Sequence, residues 1–190
     1  MSPVISDQPK SGHPTRPLNA LNGFSTIECL ITLAIIATVM LTGFPKFTNV
    51  IIAKRTEVAS TRILESLYEA RGYAVNASAV VILCPGSPQT GCESQIDWSI
   101  GWFSFVDINR NSKFESGETV LSQQTPIKRL IIRWRTPFWV RFKPFGDLWP
   151  NGHFAICDEN REYGIAVVVH RTGRARISSD SPDGEKVRCE

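Results

Sequence analysis

The chain has 190 residues, of which 42% are hydrophobic and 21% charged, and its formal net charge is +3 at pH 7. That length leaves room for one modest domain rather than two, and the charge excludes a molecule that is strongly basic as a whole. The basic residues are unevenly spread: Lys128 to Lys143 holds six and no acid, whereas Glu93 to Glu118 holds five acids against Arg110 and Lys113. No internal repeat or low-complexity segment interrupts the chain.

Residues 1–23 read as a polar leader that stops at Gly23. Residues 24–44 then form an apolar run of 21 residues with one charge, Glu28. As a helix this run would span about 31 Å, the thickness of a bilayer core. A carboxylate placed there costs roughly 2–4 kcal/mol or more in lipid unless something pairs with it. A secretory signal has the opposite order, with the apolar stretch first and the cleavage site after it. A plain membrane anchor would give no reason for glycine, phenylalanine and an early glutamate at this spacing.

Gly23-Phe24-Ser25-Thr26-Ile27-Glu28 resembles the junction of the type IV pilin superfamily. The resemblance implies that prepilin peptidase cuts after Gly23 and that the new amino terminus, Phe24, is methylated. It also implies that Glu28 pairs with the terminal ammonium of a neighbouring subunit, so that two charges costly in lipid become tolerable on assembly. Pro45 falls where pilins often bend the helix. The leader departs from the pattern, because its nearest basic residues to Gly23 are Lys10 and Arg16. Glu28→Ala is expected to leave the soluble domain folded and to reduce incorporation into filaments. Recovery of this variant in sheared filaments at the wild-type level would count against the pairing.

Beyond Pro45 the helix is expected to continue, with Phe47, Val50, Ile51, Val58, Leu64 and Leu67 near helical spacing, and to end near Asn76. Eight beta-rich runs follow: 79–84, 101–107, 119–122, 127–133, 138–143, 153–157, 164–170 and 174–178. Each is bounded by Gly, Pro, Asn or Asp, as antiparallel strands are. One long helix followed by an antiparallel sheet is an α+β arrangement with the helix packed on the sheet.

Of five cysteines, Cys29 lies in the apolar run and reads as a small apolar filler. Cleavage after Gly23 would leave the rest of the chain outside the cytoplasm, where thiols oxidise. The spacing favours Cys84 with Cys92 and Cys157 with Cys189. Zinc would want close C-x-x-C pairs, which these four do not form.

Leu83-Cys84-Pro85, the block Trp98-x-x-Gly101-Trp102-Phe103-x-Phe105-x-Asp107-x-Asn109-x-Asn111, and Gly117-Glu118-x-Val120-Leu121 are similar to the GspH/FimT family of minor pilins and pseudopilins. The likeness runs from Gly23 to about Ser178. It implies a type IV pilin-like fold, other pilin subunits as partners and no enzymatic activity. It also places a single-pass protein in the inner membrane with a periplasmic domain at 45–190, later built into a pilus or pseudopilus.

Asp107, Asn109, Asn111, Glu115 and Glu118 occupy positions one, three, five, nine and twelve of a calcium loop, with Ser112 where glycine is wanted at six. Strand-like flanks favour the blander reading, a hairpin loop whose Asp and Asn bond the local backbone. His13, His153 and His170 stand beside no activated Ser or Cys, so no hydrolase can be assembled and no cofactor is expected. Arg133, Arg135, Arg141 and Lys143 interleave with Trp134, Phe138, Trp139 and Phe142. This reads first as a half-buried strand with a solvated face, although Pro137 breaks it.

The sharper candidate is Arg171-Thr172-Gly173-Arg174-Ala175-Arg176. Thr172-Gly173 suits a tight turn, and Arg174 and Arg176 would project from one strand face about 6.6 Å apart. Gly173-Arg174-Ala175-Arg176 also resembles the G-R-x-R element by which FimT-type minor pilins bind DNA during uptake. The expected site is therefore Arg171, Arg174 and Arg176, with Arg133, Arg135, Arg141 and Lys143 as auxiliaries if their strand lies alongside. The alternative is a structural pseudopilin of a type II secretion system that touches no DNA.

Overall fold

The computed structural model describes residues 24–135, 137–159 and 164–189, with the side chains of 42–49 left out. The expected leader, its cleavage position Gly23 and the side chains of Pro45 and Phe47 lie outside the described residues. Two compact units divide the chain, Met1–Phe44 and Pro45–Glu190.

One helix, α1 (Thr26–Asn76), belongs to both units. In the first unit its described apolar side chains, among them Ile27, Leu30, Ile31, Leu33, Ile36 and Met40, are exposed, as is Glu28. Among the described residues no helix is long and apolar enough to cross a membrane. The described side chains of the run stop at Leu41, three residues short of the expected end at Phe44.

In the second unit α1 ends at Asn76, where the sequence pattern places it. Ser78 turns the chain out of the helix with a left-handed φ of 50°, while Ala79 N donates to Ala74 O at 3.1 Å and Ser78 N to Val75 O at 3.4 Å. Those two bonds satisfy carbonyls that the last turn would otherwise leave open. The buried stripe of this part of α1 is Ala59, Ile63, Leu67, Ala70 and Ala74, at the spacing of one helix face. This corrects the expected face: Val50 and Val58 are exposed and only Leu67 is buried outright. Three of the five are alanines, so the large residues alone misplace the face.

The strands form two antiparallel sheets, not the single expected one. The first contains β1 (Val81–Ser87), β2 (Gly91–Cys92), β3 (Trp102–Val106), β4 (Val120–Gln124), β6 (Val140–Phe142) and β7 (Leu148–Trp149) in the order β4-β3-β1-β6-β7, with β2 paired to β1. The second contains β5 (Leu130–Arg133), β8 (Gly152–Asp158), β9 (Ile165–Val169) and β10 (Ala175–Ser178) in the order β10-β9-β8-β5. The expected run 127–133 forms a strand only from Leu130, and β2 and β7 are two-residue pairings with too little pattern to read. The free edge of β5 is covered by the segment around Asp97, with Trp98 N bonded to Ile132 O at 2.7 Å and Trp134 N to Ile96 O at 2.8 Å.

One core joins the α1 stripe to the inner faces of both sheets. Phe154 is its centre, with Trp134 stacked on it at 4.3 Å and Trp98 edge-on at 4.8 Å. Trp102 Nε1 donates to Ser66 Oγ at 3.0 Å, which satisfies a buried indole from the helix. A second cluster, Ile82, Cys84, Phe103 and Phe105 with Phe114 and Trp139, covers the other face of the first sheet. The disulfides join Cys84 to Cys92 and Cys157 to Cys189, the pairing that spacing favours.

Candidate functional site

The β9–β10 hairpin is built by a four-residue turn. Gly173 N donates to His170 O at 2.8 Å, and His170 N donates to Arg174 O at 2.8 Å. Gly173 has φ +77°, and a Cβ there would run into Gly146 O and stand 2.5 Å from Arg71 Nε, so glycine is required both by conformation and by space. The close approach exists because the tip is braced from two sides. Tyr68 Oη on α1 donates to Ala175 O at 2.6 Å, Arg71 Nε donates to Gly146 O at 3.1 Å, and Leu148 N donates to Arg171 O at 2.9 Å.

On this braced tip Arg171, Arg174 and Arg176 are all exposed, and among the described residues none of the three forms an ion pair. Arg174 and Arg176 line one open groove of about 1110 Å³ together with Tyr68, Arg71, His170 and Thr172. Arg71 comes from the helix and has no sequence-local link to the hairpin, so pattern reading missed it; its only signal was a basic residue one turn from the helix end.

Strand register decides which auxiliaries share this surface. Arg176 pairs with Val168, Val168 with His153, and Ala155, two residues on from His153, pairs with Arg133. Paired residues point to the same side and alternate residues share a face. Arg133, His153 and Arg176 therefore lie on the outer face of the second sheet, opposite the core face of Ile132, Phe154 and Val167. Arg135 lines a further groove on that side, with Arg133 and His153.

Arg141 and Lys143 are not part of it. Arg133 and Arg141 end up in different sheets, because the chain leaves β5 before Pro137 and starts β6 at Val140. The Arg141 guanidinium donates to Ser112 Oγ, stands 3.9 Å from Asp107 and lies over Trp139 at 5.0 Å. Lys143 Nζ is 3.3 Å from Asp147.

The loop from Asp107 to Glu118 joins β3 to β4 and spends its oxygens on itself. Asp107 accepts from Asn111 N and Ser112 N, both at 3.0 Å; Asn109 Oδ1 accepts from Asn111 N at 3.1 Å and Asn111 Oδ1 from Lys113 N at 2.7 Å. Glu118 accepts from Ile108 N and Glu115 N, and the Asn109 and Asn111 amides donate to Glu115. Ser112 takes φ 61° where a calcium loop would place glycine. A guanidinium stands beside Asp107 as well, and among the described residues no group of three or more His, Cys, Asp and Glu is placed to hold a metal ion.

The two described histidines stand in separate grooves. His170 Nδ1 meets Thr172 Oγ1 at 3.0 Å. Burial lowers the pKa of His153 from 6.5, opposed by the charge of Asp183 and aided by that of Arg135.

The family model for the type II transport protein GspH matches residues 59–173, well over half of the chain. The chain belongs to the GspH family. The match covers the last third of α1 through the turn of the hairpin and ends one residue before Arg174, so it does not single out FimT within the group. Two crystal structures of the type IV minor pilin FimU of Pseudomonas aeruginosa share the fold at a TM-score of 0.50. One is 18% identical and covers 67% of this chain and 98% of that one. The other is 17% identical and covers 72% and 96%. No curated protein sequence gives a significant match. The GspH-family chain is thus a type IV pilin-like minor pilin or pseudopilin, with an amino-terminal helix on an antiparallel β framework. As a member of that family it belongs to a membrane-anchored pilus or pseudopilus, assembled with other pilin subunits.

Proposed function

We propose that this GspH-family protein is a minor type IV pilin that binds DNA without sequence preference through Arg171, Arg174 and Arg176, in the service of DNA uptake. In this reading it is cut after Gly23 by prepilin peptidase, methylated at Phe24, held in the inner membrane by residues 24–44 and drawn into the filament through Glu28. It acts by binding and assembly, with no catalytic step. The observation that carries the DNA assignment is the rigidly braced hairpin tip with three exposed arginines that no acid neutralises among the described residues. Guanidinium groups present a planar fork of donors and keep their charge, which suits phosphate oxygens. Backbone contacts of this kind carry no base information.

Full-length protein in mild detergent is expected to bind short duplexes of unrelated sequence with similar dissociation constants of about 1–100 µM at low salt. Replacing Arg174 and Arg176 together by Gln is expected to weaken that binding about tenfold or more, without changing the thermal midpoint. The second reading, a structural pseudopilin of a type II secretion system, draws on the family description itself. It takes over if the wild-type protein shows no binding at low salt.

A further inference from the structure

The outer face of the second sheet carries two cationic grooves, and the carboxyl-terminal segment lies between them. Pro182 lines both: the groove of Arg174 and Arg176, and one of about 430 Å³ formed with Arg133, Arg135 and His153. Asp183, next in sequence, lines only the second. The segment is held as a small hairpin by Ser181 N to Glu185 O at 2.8 Å, Gly184 N to Ser181 O at 3.0 Å and the bridge between Asp180 and Lys186. It is pinned to the sheet by Gly164 N to Val187 O at 3.0 Å, by the buried Val187 and by the disulfide from Cys189 to Cys157. Asp183 is exposed and forms no ion pair among the described residues. Its charge nevertheless reaches His153, where it counters the effect of burial.

We propose that the groove of Arg133, Arg135 and His153 is a second phosphate-binding subsite for the same nucleic acid strand, and that Asp183, which lines the same groove, is a like charge that weakens phosphate binding there. This rests on the DNA-binding reading and extends its footprint. Strands β10 and β5 are three spacings apart, about 14 Å, a distance that about four phosphates of one strand cover at 3.4 Å of rise each. Without the second groove a ligand on the tip would meet only the edge of the sheet; with it the contact crosses the whole face.

The chain carries a natural reporter in each groove, His170 in the first and His153 in the second. Full-length protein in detergent, labelled at histidine and assigned with His153→Gln and His170→Gln, is titrated with a short mixed-sequence duplex and followed by NMR. Shifts of both imidazoles are expected. Asp183→Asn should tighten binding about two- to fivefold, and Arg133→Gln with Arg135→Gln should reduce the slope of log affinity against log salt by about 1.8. If only His170 responds and the Arg133/Arg135 variant keeps the wild-type slope, the second subsite is overturned while the tip reading stands. If neither histidine responds and no binding is seen at low salt, both fall. Two responding histidines with no tightening by Asp183→Asn would overturn the opposing role of Asp183.

Discussion

Replacing Phe154 by Ala is expected to destabilise the Pro45–Glu190 unit by about 3–5 kcal/mol, the largest effect of any single side chain described here. Phe154 is fully buried between Trp134 and Trp98, in the strand that pairs with both β5 and β9. Truncation removes its own burial and leaves two indoles facing a void that rigid neighbouring strands cannot close. Guanidinium unfolding followed by tryptophan fluorescence measures the change. A loss below about 1 kcal/mol would mean that the inner faces collapse around the deletion, and that the aromatic stack is not the centre of the core.

Replacing Cys157 and Cys189 together by Ser is expected to cost about 2–4 kcal/mol in the loop-entropy account. The bridge closes a sequence separation of 32 residues and holds the last segment against the second sheet. Gly164 marks how closely the parts meet, since a Cβ there would run into Ile156 O and come within 2.9 Å of Cys157 Sγ. The shorter bridge, Cys84 to Cys92, spans a separation of 8 residues beside strands already paired to each other. Its loss should therefore cost less. Equal midpoints for the two serine variants in denaturant would contradict that ordering.

How far the sequence could be read depends on whether the deciding contact is local. The end of α1 at Asn76, the turn at Thr172-Gly173 and both disulfide pairings follow from spacing within one or two elements, and they were legible. The face that α1 buries was not. Its stripe is rich in alanine, and Val50, Val58 and Ile51 suggested a different side because apolar size and burial disagree in this helix. Nor could the sequence separate Arg133 from Arg141. They sit eight residues apart in one basic and aromatic stretch, yet a break at Pro137 sends them to different sheets, one to an open face and the other to Asp107 and Ser112. The shared face of Arg133, His153 and Arg176 arises from register across three strand pairs, and Arg71 reaches the tip from the helix, where it bonds Gly146 O and lies against Gly173. Family likeness reached the class of protein through the Trp98–Leu121 block, but the arginines on which the proposed DNA binding rests lie at and beyond the edge of the family match at 59–173.

The claim that the arginine tip holds DNA by its phosphates is tested most directly by salt titration of full-length protein against duplexes of unrelated sequence. Each neutralised phosphate contributes about −0.9 to the slope of log affinity against log salt. The Arg174→Gln, Arg176→Gln variant should therefore show a slope shallower than wild type by about 1.8, equally on every duplex. A slope unchanged by the two substitutions, with binding as tight as wild type, would contradict the account and leave the hairpin an ordinary solvated turn of a structural pseudopilin.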